Sequence, residues 1–230
     1  MLGEALLLGL ATVVPLFLGA LLGATRTINP RPLAVVLAFG AGTMVASVSI
    51  GLFAPASKEL GGVVAGLALF AGTATFVGGS RVIDQRPGGA RSAVGWALLL
   101  GVLLDGVPEN AALGVSSELD VALLAAIAIG NAPEAIGGAA KMREDAGLAR
   151  GRILLIWGAV SVLLVAVVVA ARLAGDALSP SGIAGVEAFA GGAVLAVLAD
   201  SMIPEAYKDG GPNIAFAVAA GFALAFALGG

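Results

Sequence analysis

The sequence lacks two residue types on which most soluble enzymes and metalloproteins depend. Its 230 residues include no cysteine and no histidine. The absence of cysteine excludes a disulfide framework, a thiolate nucleophile and cysteine-ligated zinc or iron–sulfur sites. The absence of histidine excludes a Ser-His-Asp triad, a histidine-ligated haem and an HExxH zinc site. Much of the chemistry of soluble enzymes is therefore closed to this chain.

Charged and aromatic residues are scarce as well. Only 12% of the residues are charged, roughly half the share in a soluble domain, and the formal net charge is −3. Because no block of basic residues is present, a nucleic-acid partner is not expected. Aromatic residues make up 5% of the chain, too few for a stacking platform. Hydrophobic residues make up 59%, and the mean hydropathy of +1.04 indicates a protein whose solvent is lipid.

Apolar runs of about 20 residues, the length that crosses a hydrocarbon core about 30 Å thick, follow one another along the chain. Short stretches rich in proline, glycine and charge separate most of them. We therefore predict an all-α polytopic membrane protein, with a single domain over residues 1–230. Its eight predicted spans are Leu2–Gly23, Leu33–Ala54, Gly61–Gly79, Ala93–Val115, Val121–Ala140, Ile153–Ala171, Ser181–Glu205 and Ile214–Gly229.

The basic residues predict the orientation of these spans. If the N-terminus lies outside, every lysine and arginine except Lys58 and Arg172 falls on the cytoplasmic side. This asymmetry follows the positive-inside rule. We expect a multi-pass protein of the plasma membrane with both termini extracellular.

Two segments far apart in the chain resemble each other. Phe39-Gly40-Ala41-Gly42 on the second span matches Phe189-Ala190-Gly191-Gly192 on the seventh, and the match extends to Pro55 and Pro204 with a shift of one residue. Five crossings separate the segments, so their orientations across the bilayer are opposite. The match predicts inverted repeats, approximately 1–80 and 151–230, around a central helix pair at 93–142. This 3+2+3 arrangement is typical of transporters.

The fourth and fifth spans carry acidic residues inside the predicted membrane segment. Asp105 and Glu109 share one helix face, and Asn131 and Glu134 share one face of the next span. An ionisable group in a span costs on the order of 3 kcal/mol. Acidic groups that meet in a low dielectric cannot all stay ionised without a counter-charge, and neither span contains Lys, Arg or His. We therefore expect these residues to bind protons or a cation.

Proline directly precedes each of the two glutamates. Pro108 and Pro133 cannot donate to the carbonyls of Leu104 and Ile129, one turn earlier. A broken membrane helix is tolerated where the freed backbone groups face protein or a cavity. Those carbonyls are therefore candidate oxygen ligands beside the acidic residues.

Other polar or soft side chains are candidates for a pathway to this site. Met44 offers a thioether on the second span, where Ser47 and Ser49 also lie. Asp200 lies near the inner end of the seventh span, and Glu205 lies at its boundary. Each has an ordinary structural explanation too, because methionine packs in cores and boundary acids are commonly interfacial.

These motifs resemble those of the ZIP (Zrt/Irt-like protein) family of divalent metal transporters. Asp105-Gly106-Val107-Pro108-Glu109-Asn110 is similar to the family's His-Asn-x-Pro-Glu-Gly on span four. Gly130-Asn131-Ala132-Pro133-Glu134 is similar to the motif on span five, and Met202-Ile203-Pro204-Glu205 closes span seven as in the family. The resemblance covers nearly the whole chain. It implies transport of zinc, iron, manganese or cadmium toward the cytoplasm, for which an elevator-like movement has been proposed.

The resemblance also implies which residues hold the metal. Glu109 and Glu134 match the family's metal-binding glutamates, while Asp105 stands where histidine is usual and Asn131 where aspartate is frequent. Gly106 replaces the asparagine of the family's second site, which favours a single metal ion. Oxygen ligands suit Mn²⁺, Mg²⁺ or Ca²⁺, although zinc also binds carboxylates.

The remaining implications concern the exit path and the partners. Asp200 and Ser201 occupy the place of a polar pair on the family's exit path. The protein is not expected to be an enzyme or to need a cofactor beyond the transported ion. The expected partners are a divalent metal ion and the lipid bilayer, and a homodimer is left open.

Three other functions stay open on the sequence. A proton-coupled transporter of another cation or solute would use the same carboxylates. An intramembrane aspartyl protease would need facing aspartates such as Asp105 and Asp200, but its Gly-x-Gly-Asp motif is absent. A non-transporting regulatory homologue would explain the loss of the second site.

Overall fold

The computed structural model describes residues 2–84, 89–115, 121–174 and 179–229. Within these ranges the chain is helical and has no strand, so the prediction of an all-α protein is confirmed. The α-helices are α1 (Leu2–Thr25), α2 (Pro30–Ala46), α3 (Ala54–Leu60), α4 (Gly62–Asp84), α5 (Gly89–Val115), α6 (Val121–Glu144), α7 (Arg150–Ala174), α8 (Pro180–Val197), α9 (Ile203–Gly210) and α10 (Ile214–Gly229).

Several of these helices are long and apolar enough to span a membrane. Five such stretches occur among the described residues: Leu2–Thr25, Pro30–Leu60, Gly62–Val82, Arg150–Ala174 and Pro180–Leu228. The central helices α5 and α6 are not among the five, although they contain 27 and 24 residues. Together with the composition, the five stretches indicate a membrane protein.

Two π-helical segments join neighbouring α-helices. Ser47–Phe53 connects α2 to α3, and Leu198–Met202 connects α8 to α9. After each segment, an amide donates to the carbonyl five residues earlier instead of four. Pro55 and Pro204 lie just beyond the segments, and each lacks the amide that would bond to a carbonyl within the segment. The wider turns therefore occur where the ordinary hydrogen-bond ladder is already interrupted.

The helices divide into two bundles, and the hydrophobic core of the second bundle continues across the interface to Ala97 and Leu98 of α5 and Ala140 of α6. The first bundle consists of α1, α5, α6 and α7, which pack around Trp157, Leu16 and Leu164. The second bundle consists of α2, α3, α4, α8, α9 and α10, with α2 against α10 and α4 against α8. The bundles meet where α2 and α10 contact α6 and where α4 and α8 contact α5.

Close backbone approach at glycine holds the second bundle together. A Cβ atom at any of four glycines would overlap a carbonyl oxygen of the facing helix. The pairs are Gly42 with Val218, Gly221 with Phe39, Gly72 with Phe189, and Gly192 with Leu69. Such contacts let membrane helices pack without intervening side chains. Phe39 and Gly42 therefore make the same contacts with α10 that Phe189 and Gly192 make with α4.

Glycines between the two bundles contact side chains instead. A Cβ atom at Gly40 would meet the ring of Pro133, and one at Gly101 would meet the side chain of Val197. The interface is therefore built from side chains, whereas the crossings of the second bundle are built from backbone.

Candidate metal centre

A small cavity lies between the bundles, where α2 passes α5 and α6. Its volume is about 10 Å³, close to the space that one water molecule or one ion needs. It is lined by Thr43, Met44 and Ser47 of the second bundle and by Glu109, Gly130 and Asn131 of the first. Met44, Glu109 and Asn131, identified separately in the sequence, thus meet from three different helices.

The α2 wall of the cavity carries two hydroxyl groups one helical turn apart. Ser47, the first residue of a π-helical segment, donates from Oγ to Oε1 of Glu109 at 3.4 Å. Thr43 donates from Oγ1 to the carbonyl of Gly40 at 2.8 Å, so its lone pairs stay available to a ligand. Ser49, the other predicted serine, is exposed and bonds to the carbonyl of Val45 instead.

The opposite wall carries the acid and the amide. Glu109 is 7% exposed and Asn131 is 2% exposed, so both are removed from solvent. Nδ2 of Asn131 has no hydrogen-bond acceptor among the described residues. An unmet buried donor costs about 1–3 kcal/mol. A water molecule that occupies the cavity would accept this hydrogen bond.

Glu134 lies on α6 one turn beyond Asn131. It is fully buried but is not among the described residues that line the cavity. A step of three residues advances about 4.5 Å along a helix, so the two side chains share a face at different depths. Asp105 belongs to α5, but its side chain lies outside the described part of the structure.

The expected convergence of three carboxylates therefore stays a prediction. Among the described residues, no three acidic, histidine or cysteine side chains form a group that could hold a metal. What the structure brings together is one carboxylate, one amide, two hydroxyls and one thioether. This set can bind a single cation if the ion also draws in a further carboxylate or water.

The two prolines lie within continuous helices. α5 continues across Pro108 and α6 across Pro133. Pro133 faces Gly40 of α2, which brings the two bundles together next to the cavity. Gly130, which has no side chain, also lines the cavity, so α6 presents bare backbone at this wall.

A second buried asparagine, Asn110, follows Glu109 directly and has a structural role. Its Oδ1 accepts a hydrogen bond from Thr12 of α1 at 2.8 Å, and its Nδ2 donates to the carbonyl of Gly106 at 2.8 Å. Both ends of the amide are therefore satisfied. The bond to α1 fixes the rotation of α5 and so the direction in which Glu109 leaves the helix.

Asp200 lies away from the cavity, in the second π-helical segment. It is exposed and accepts hydrogen bonds at Oδ2 from Ser80 of α4, at 3.2 Å, and from Ser201, at 3.0 Å. These bonds join α4 to the π-helical segment. The proposed place of Asp200 on an exit path is compatible with this exposure and stays a prediction.

Glu205 is buried in the structure. It is 8% exposed and forms an ion pair with Lys141 of α6 and a weaker one with Lys208, at 3.5 Å. Lys141 is the first residue after the predicted fifth span. Burial alone would lower the pKa of its ammonium group, but the bond to Glu205 raises that pKa above its ordinary value. Lys141, the lysine that follows Glu134 on α6, is thus paired with Glu205.

No protein-family model and no curated protein matches this chain. Its function must therefore be inferred from the residues of the cavity and from the packing of the two bundles. The resemblance to the ZIP family rests on the motifs of α5, α6 and α9.

Proposed function

We propose that the protein transports divalent metal cations across the plasma membrane toward the cytoplasm. Glu109 and Asn131 bind the ion at the cavity, and Glu134 and Asp105 complete the site from the same two helices. The observation that carries the proposal is the cavity itself, where carboxylate, amide, hydroxyl and thioether groups meet in a space of one ion. Its oxygen donors suit hard divalent ions, and Met44 extends the range to softer ones such as zinc and cadmium.

The position of the cavity favours transport over storage or a structural metal. The residues that line it come from both bundles. A shift of one bundle against the other would pull α2 away from Glu109 and Asn131 and open the site. The elevator-like movement implied by the ZIP resemblance uses this kind of division.

The membrane arrangement that we propose has eight spans in inverted repeats. The stretch Pro180–Leu228 has 49 residues, more than two bilayer lengths, and Gly211 with a φ of 61° separates α9 from α10 within it. This stretch therefore supplies two spans, and α5 and α6 supply two more. The glycine crossings of α2 with α10 and of α4 with α8 support a two-fold relation between the repeats.

The proposal is tested by metal uptake into liposomes that contain the purified protein. Zinc, manganese, iron and cadmium are offered to the wild type, to Glu109→Gln and to Glu134→Gln. Glu187→Gln is the matched control, because Glu187 is a carboxylate of α8 outside the cavity. We expect both site variants to lose uptake while the control retains it.

Two outcomes would contradict this proposal. Uptake that persists in Glu109→Gln and Glu134→Gln would show that the cavity does not carry the ion. A proton current in the absence of metal, lost in the same variants, would instead identify a proton-coupled transporter of another solute.

A further inference from the structure

Two polar side-chain contacts between the bundles are described, and they differ in strength. The bond from Ser47 to Glu109 is long, at 3.4 Å, and lies at the cavity. The other is the ion pair of Lys141 on α6 with Glu205 on α9, in which each side chain is 9% exposed. Among the described residues, the remaining ion pairs lie within one bundle: Arg143 with Glu144, and Lys208 with Glu205.

The buried pair lies between the cavity and the predicted cytoplasmic end of α6. Lys141 follows Glu134 by two helical turns, roughly 10 Å along α6. An ion that leaves Glu109 and Asn131 along α6 would therefore approach the ammonium group of Lys141, which is ion-paired with Glu205 of the second bundle. The same ion pair joins the two bundles at the predicted cytoplasmic end of α6.

Glu205 has a second lysine within reach. Lys208, one turn further along α9, lies 3.5 Å from the carboxylate and is 67% exposed. If the bundles part, the carboxylate exchanges a buried partner for an exposed one and is not left as a lone buried charge, which would be strongly unfavourable. Glu205 would therefore keep Lys208 as an ion-pair partner if its contact with Lys141 were broken.

We propose that the Lys141–Glu205 ion pair is a latch that holds the two bundles together on the cytoplasmic side, and that it opens when the bound ion is released. The proposal rests on the proposed function for its role in release. The latch itself is a property of the bundle interface and is measurable without metal.

The absence of cysteine makes the latch testable by thiol labelling. Val197 is fully buried and faces Gly101 across the interface, so a cysteine in Val197→Cys reacts with a small permeant maleimide only when the bundles part. Val168, fully buried on α7 against Gly114 of α5, supplies a reporter inside the first bundle as Val168→Cys. Labelling rates then measure the open fraction at each place.

Lys141→Met is compared with Lys208→Met in both reporter backgrounds. Lys208→Met is the matched control, because it removes a lysine from the same carboxylate without removing the link between bundles. We expect Lys141→Met to increase the rate of maleimide labelling at Val197→Cys by about fivefold or more. Labelling at Val168→Cys should not change, and Lys208→Met should accelerate neither reporter.

Equal labelling of Val197→Cys in the two lysine variants would overturn the latch. A parallel rise at Val168→Cys would also overturn it, because the ion pair would then stabilise the fold as a whole. If labelling responds as expected while the wild type takes up no metal, the latch stands and the proposed transport function fails.

Discussion

Replacing Gly130 by alanine should make the protein more stable and at the same time abolish transport. Gly130 lies in the interior of α6, and its missing side chain leaves part of the cavity open. The added methyl group would enter the space that the ion needs. Stability and transport therefore respond to this one change in opposite directions.

The structure sets the size of both effects. A Cβ atom at Gly130 would meet Oγ1 of Thr43 at 3.9 Å, an ordinary van der Waals contact, so no strain opposes the substitution. Alanine is favoured over glycine inside a helix by about 0.8–1 kcal/mol. For a chain of this size, that gain raises Tm by about 2–4 °C. The cavity of about 10 Å³ has room for one small occupant, so the methyl group displaces the ion.

Thermal unfolding and metal uptake measure the two effects on the same preparation. Gly66→Ala on α4 is the matched control, because a Cβ atom at Gly66 would meet nothing within 4 Å. It should raise Tm by a similar amount and leave uptake intact. If Gly130→Ala transports metal at the wild-type rate, the cavity is not the ion site and the reasoning is refuted.

Five further substitutions give contrasting results. Gly192→Ala should reduce the yield of folded protein, because the added Cβ atom would overlap the backbone of α4. Gly185→Ala should be tolerated, because a Cβ atom at Gly185 would meet nothing within 4 Å. Size-exclusion profiles in detergent compare the two variants. Asn110→Ala should lower the free energy of unfolding by about 1–3 kcal/mol, because it removes the hydrogen-bond partner of the Thr12 hydroxyl and of the Gly106 carbonyl. Asn131→Ala should instead reduce metal uptake and change Tm little. Met44→Leu, which conserves volume but removes the thioether, should lower cadmium uptake relative to manganese uptake in a competition assay; an unchanged ratio would show that the sulfur does not contact the ion.

The helical class could be predicted because runs of apolar residues have few alternatives in lipid. Helix ends were less predictable. The predicted second span stops at Ala54, yet the chain stays helical to Leu60 across Pro55 and the polar residues that follow. Hydropathy marks where the hydrocarbon ends, and a helix continues beyond that level as long as its backbone hydrogen bonds are met. The π-helical segments leave no periodic signal in so apolar a sequence.

The site residues that could be identified from the sequence are those whose side chains are rare inside a membrane span. Glu109 is conspicuous because a carboxylate in a span is costly, and Asn131 is conspicuous because this polar amide lies one turn from the acid Glu134. Thr43 and Gly130 line the same cavity but are ordinary residues of packed membrane helices. Gly130 belongs to the motif on the fifth span but carries no ligand side chain, and the one signal for Thr43 was its position one turn before Ser47.

The contact between Lys141 and Glu205 could not be predicted from local sequence. Each residue, taken alone, is a boundary charge of the kind that commonly reaches solvent. Their pairing depends on how α6 lies against α9, which no periodicity in either helix encodes. The same is true of the meeting of α2 with α5 and α6, from which the cavity arises.

The π-helical segments have a consequence for how this chain tolerates changes of length. The stretch from Phe39 to Pro55 is one residue longer than the stretch from Phe189 to Pro204. Each stretch contains a π-helical segment just before its proline. In an α-helix, one extra residue rotates everything after it by about 100° and turns its buried face outward. A π turn absorbs the residue locally. Insertions and deletions beside Ser47 are therefore accommodated without repacking α3, so the cavity wall can vary in length while the surrounding bundle keeps its contacts.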